Sequence, residues 1–263
     1  MLNILFFTPV VLYFAAMVLQ FAGAAFKHEK LQKAAWFALV AGAAVQTAYI
    51  VVRGVKAGRV PLANQFEFAN AFAWGTAVMG IFFKIRGKKS MDFMVTLCAP
   101  CAFLLISYAA LQPREITELM PALRSAWFTI HIGAAVFSYA AFAVAAAVGV
   151  RYLALEKKET ERHLRELDTL AYKLVSFGFL MLTIVILTGC IWAEQAWGSF
   201  WTWDPKEVWA LITWIVYAVY LHQRVRMNWR GHKMAILAIG AFIFVLFTFA
   251  GVNTLMSGLH SYA

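Results

Sequence analysis

The chain has 263 residues, 63% of them hydrophobic and only 14% charged, against about 45–50% and about 25% in soluble domains. This composition excludes an ordinary cytosolic enzyme. At ~20 apolar residues per membrane span, eight spans leave too little chain for a soluble domain of typical size. The net charge of +10 is read as the excess of Lys and Arg that retains loops in the cytoplasm, so no nucleic-acid partner is expected.

Apolar runs occur at 4–26, 34–52, 68–83, 93–111, 126–153, 174–193, 208–221 and 234–252. They predict an all-α polytopic membrane bundle of about eight transmembrane helices, forming one integral-membrane domain over 1–263. The first run has no basic segment before it and exceeds twenty residues, so a retained span is expected rather than a cleaved signal. Seventeen of the 23 basic residues fall in the odd-numbered connections. That bias predicts cytoplasmic odd connections and both termini external. The charged connection 151–173 mixes Arg151, Arg162 and Lys173 with Glu156, Glu159, Glu161, Glu166 and Asp168, and is expected to be a solvated cytoplasmic helix.

This topology sorts the histidines. His28, His163 and His232 fall in cytoplasmic connections. His131 lies ~8 Å below the outer end of the fifth span, and His260 lies in the external C-terminal tail. His222 follows Pro205 by 17 residues, ~26 Å along an unbroken helix, which places it in the inner leaflet or at its boundary.

Six of the ten tryptophans (Trp192, Trp197, Trp201, Trp203, Trp209 and Trp214) fall within 23 residues. The segment 192–209 is expected to be an external tryptophan-rich loop. Two readings are open: an interfacial aromatic belt, which suits Trp192 and Trp209, or a platform for a flat, mostly apolar ligand such as a porphyrin. In WDPKE, Asp204 is expected to cap a helix beginning at Pro205, with Glu207 closing a capping box. Taken singly, each histidine is explained as a satisfied polar side chain at a helix end. As an external pair, His131 and His260 match the two axial ligands of six-coordinate haem iron, whereas zinc would want a third or fourth ligand.

Cys98 and Cys101 in CAPC have the spacing of a thiol redox motif, but inside a span two buried, inert cysteines are favoured. There is no CxxCH, so the chain is not itself a c-type cytochrome.

With WGSFWTWDPKEVWALITWIVYAVYLHQR, and further with PLANQFEF, SAWFTIHIGAAVFSYAAF, LDTLAYKLVSFGF and GVNTLMSGLHSYA, the chain resembles the CcsA (ResC) family of cytochrome c biogenesis proteins. These are haem-handling membrane proteins with a tryptophan-rich WWD segment. The resemblance implies that His131 and His260 ligate haem iron and that Trp197, Trp201, Trp203 and Asp204 form the WWD core around haem b. It implies that His222 serves an inner haem site on an export route. It further implies a separate CcsB (ResB) membrane partner, an apocytochrome c CxxCH segment as acceptor, and an active external face of a bacterial cytoplasmic membrane. The expected function is haem export and attachment to CxxCH within a CcsB–CcsA cytochrome c synthase, with no catalytic nucleophile in this chain. Arg53, Arg59, Arg124 and Lys206 are the candidate propionate contacts. The alternatives are a haem exporter or chaperone without ligation, and a membrane redox protein, either a b-type cytochrome or a thiol relay.

Overall fold

A computed structural model describes residues 2–87 and 91–256. Among these, all regular structure is helical: α1 (Leu2–Ala25), α2 (Glu29–Ala57), α3 (Gln65–Gly87), α4 (Met94–Ala110), α5 (Ala126–Leu155), α6 (Glu161–Trp197), α7 (Pro205–Val225) and α8 (His232–Leu255). The chain is a multi-pass membrane helix bundle. Six of these helices (α1, α2, α3, α5, α6 and α8) are long and apolar enough to cross a bilayer, and α4 is a shorter apolar helix of 17 residues.

The helices group into two compact units, Met1–Leu119 and Met120–Ala263. In the first, α1 packs on α2 and α4, and α3 on α4 and α2. In the second, α5 packs on α6 and α8, while α7 lies against both α6 and α8. The middle of α5 is buried and rich in small residues, among them Ala134, Ala135, Ala140, Ala141, Ala143, Ala145 and Ala146. Small side chains let neighbouring backbones approach where lipid supplies no hydrophobic driving force.

Two boundaries differ from the sequence-based expectation. The segment 151–173 is not one helix: α5 ends at Leu155 and α6 begins at Glu161, with Thr160 capping α6 by accepting from His163 N. The segment 192–209 is irregular only between α6 and α7. Ala193, Glu194, Gln195 and Ala196 favour continued helix, and α6 stops where Gly198 takes the left-handed conformation (φ 73°) that a glycine adopts without steric cost. At 37 residues, α6 is ~55 Å long, longer than a bilayer core ~30 Å thick. Its charged first turns therefore stand outside the hydrocarbon.

α7 is unusual for a membrane helix. All its buried positions (Thr213, Tyr217, Tyr220 and Arg224) are polar, whereas Ile215 and Val219 are exposed. A helix built this way suits a position against protein on its polar face and lipid on the other.

Candidate functional site

The second unit carries the site, at the end where α5 begins, α6 finishes and α7 starts. Ser125 caps α5, accepting from Trp127 N at 3.2 Å, and one turn later the helix presents His131. The His131 Nδ1 lies 2.7 Å from the carbonyl oxygen of Val185 on α6. A carbonyl can only accept, so Nδ1 donates, and in the neutral ring the lone pair sits on Nε2. This is the tautomer that an imidazole ligand of a metal requires, with the second nitrogen fixed by a backbone acceptor. Gly189 makes the seat possible. A Cβ added there would lie 2.8 Å from Nδ1 and 2.9 Å from Cε1 of His131.

Aromatic rings surround this imidazole. Trp192 lies 5.8 Å from the His131 ring at 30° between planes, 5.1 Å from Phe128 and 4.8 Å from Trp197. Trp192 is 1% exposed and its Nε1 donates to Ala122 O at 2.7 Å. This corrects its expected place in an interfacial belt: it is a core residue that fixes the wall beside His131. Trp209 also packs inward, 4.2 Å from Phe247. Phe247 opens a π-helical turn, Phe247–Gly251, in α8, a wide turn that is frequent at functional positions.

The loop holds a second aromatic pair, Trp201 and Trp203, whose centroids are 5.8 Å apart with perpendicular planes. Asp204 is 6% exposed and forms the expected capping box, accepting from Lys206 N at 3.0 Å while Glu207 accepts from Asp204 N at 3.3 Å. Glu207 also accepts from Thr202 N at 2.8 Å, so one carboxylate pins the backbone on both sides of Trp203. That grip holds Trp203 at φ 60° with the residue 71% exposed. A left-handed backbone at a bulky aromatic costs roughly 1–3 kcal/mol and persists only where neighbours enforce it. The result is an indole displayed outward by a rigid loop.

The remaining sequence-selected residues are distributed otherwise. His222 is exposed in the last turn of α7, ~26 Å along the helix from Pro205, on the same apolar stripe as Ile215 and Val219. His260 lies outside the described residues. Arg53 is consumed within the first unit by Glu67 and by the carbonyls of Arg114 and Glu115, which removes it as a propionate contact. Cys98 is buried and abuts Gly80 on α3.

Sequence reasoning missed the ionic clamp at the far end of α7. Buried Asp168 and Arg224 pair at 2.6 Å, Gly231 N donates to Asp168 at 2.9 Å, and Arg224 stacks 5.2 Å from the Tyr172 ring. The 4-3-4 spacing of Thr213, Tyr217, Tyr220 and Arg224 was the signal that this face of α7 turns inward.

Residues 62–260 match a family model described as Cytochrome C assembly protein. The cytochrome c biogenesis protein CcsA of Chlamydomonas reinhardtii is 38% identical, over 81% of this chain and 64% of that protein. That of Guillardia theta is 33% identical over 82% of this chain and 81% of its own, and that of Gloeothece citriformis 32% over 99% and 97%. Among solved structures, a cytochrome c haem lyase, CcmF, shares the fold with a TM-score of 0.73 at 13% identity, over 98% of this chain and 47% of that one.

Proposed function

The chain belongs to the CcsA type of the cytochrome c assembly family, and from that membership we propose that it receives haem b and presents it for attachment to apocytochrome c. His131 is one axial ligand of the iron through Nε2, and His260 the other. Trp197, Trp201 and Trp203 hold the flat face and edge of the porphyrin, on a loop that Asp204 and Glu207 keep rigid. His222 belongs to an inner haem site completed by a CcsB-type membrane partner, which fits an imidazole displayed on the outer stripe of α7. The tryptophan end faces outward from the cytoplasmic membrane of a bacterium, as the distribution of basic residues favours.

Attachment adds the two thiols of a CxxCH segment across the haem vinyl groups, so the bond-making chemistry resides in the reactants. The contribution of this chain is to hold them in register. The observation that carries the reading is the seat of His131, in which a helix carbonyl fixes the tautomer and a glycine clears space for the ring.

The test is maturation of a c-type cytochrome reporter in cells carrying this chain with its CcsB-type partner. His131→Ala is expected to abolish covalent haem in the reporter, and imidazole in the medium to restore part of it. Normal maturation by His131→Ala would refute the assignment.

A further inference from the structure

The first unit contains a cationic centre that its own carboxylates do not neutralise. Glu67 is 1% exposed and pairs with Arg53 at 2.9 Å and Arg59 at 2.7 Å. It also accepts from Ala63 N at 2.8 Å. Arg53 turns its remaining N–H groups to the carbonyls of Arg114 and Glu115 at 2.9 and 3.1 Å. One buried carboxylate thus serves the guanidinium groups of both Arg53 and Arg59, and Arg114 joins them through its backbone carbonyl. The Arg114 side chain makes no ion pair and donates no hydrogen bond among the described residues, and its Nη1 and the Arg59 Nε are buried without an acceptor. What holds Arg114 is aromatic, with its guanidinium carbon 4.9 Å from the Phe7 ring and 5.6 Å from that of Phe6. Ring faces attract a cation but accept none of its five N–H groups in the way an oxyanion does.

Phe7 also lines a shallow, open groove along the outer side of α1, together with Asn3, Ile4, Thr8, Val11 and Leu12. Ile4, Phe7 and Val11 are exposed, so the groove opens to whatever surrounds the helix, which for a membrane span is lipid. A shallow apolar groove that shares Phe7 with an unneutralised guanidinium fits one kind of occupant. We propose that the first unit binds an anionic phospholipid, its phosphate on Arg114 beside the Arg53–Glu67–Arg59 cluster and an acyl chain along α1. A partner helix would fill the groove and leave the guanidinium without an acceptor. A porphyrin would want facing aromatic planes, whereas this groove runs along one side of a single helix.

Native mass spectrometry of the full chain, titrated with phosphatidylglycerol and with phosphatidylcholine, tests this. The wild type is expected to prefer phosphatidylglycerol by roughly fivefold or more, the effect of about one guanidinium at an anionic headgroup. Arg114→Ala should abolish most of that preference and Arg114→Lys should keep it. The backbone carbonyl that Arg53 uses is retained in both, so neither substitution removes a hydrogen bond of the fold. Val11→Trp, which fills the groove from its lipid-facing side, should lower retention of both lipids and preserve their ratio. Equal retention of the two lipids by the wild type, or an unchanged preference in Arg114→Ala with native elution and helicity, would overturn the proposal. So would displacement of phosphatidylglycerol by haem but not by haem dimethyl ester, which would assign the centre to a carboxylate ligand instead.

Discussion

At its start α7 is held by Asp204 and Glu207, two carboxylates that accept from backbone N–H groups, while Trp203 beside them points outward. At its finish the same helix is held by the Asp168–Arg224 pair, with Gly231 N closing the second carboxylate oxygen. Both ends are pinned, but by different means. The ionic end consumes its own charges and fixes the turn from α7 to α8. The capped end uses its charges on the backbone and leaves Trp203 exposed. One end of the helix is thus immobilised through backbone N–H groups and the other through a buried ion pair.

The contrast predicts a separation of effects. The largest change in stability belongs to the ionic end. Asp168→Ala leaves Arg224 buried and unpaired, and breaking such a pair costs about 3–5 kcal/mol. Thermal unfolding in detergent should show it, with the tryptophan end losing haem only as the whole protein fails. Next comes the His131 seat. Gly189→Val forces the imidazole from Val185 O, and haem retention on purification should fall at least tenfold while the unfolding temperature changes far less.

Glu207→Ala removes the acceptor for Thr202 N and Asp204 N and half of the capping box, a loss of ~1 kcal/mol. It should weaken haem retention more than stability, because it frees the loop around Trp203. The smallest stability effect is expected for Trp203→Gly. Glycine takes a left-handed backbone at no steric cost, so stability should hold or rise slightly while maturation of a cytochrome reporter drops. A Trp203→Gly variant that unfolds readily and still matures cytochrome would break the comparison.

Much of the fold was legible because a bilayer imposes its own spacing. The apolar runs gave the number of helices, six of which are long and apolar enough to cross a bilayer, and WDPKE gave the cap of α7 from the residue types a capping box needs. Trp192 was misread because indole at a helix end is ordinarily interfacial. Its burial depends on the carbonyl of Ala122, which a distant segment supplies. The Asp168–Arg224 clamp escaped for a related reason: a charged run reads as solvated until the fold shows which of its members turns inward. The left-handed backbone of Trp203 could not be read at all, since no residue type announces it and Glu207 holds the backbone on either side of it.

Under the proposed function, His131 ligates haem iron from the seat formed by Val185 and Gly189. The direct measurement is the absorption spectrum of haem bound to purified wild type and to His131→Gly, each with and without imidazole. A six-coordinate bis-nitrogen spectrum is expected for the wild type, with its loss in His131→Gly and its return when imidazole fills the vacated position. An identical spectrum in the variant before imidazole is added would contradict it.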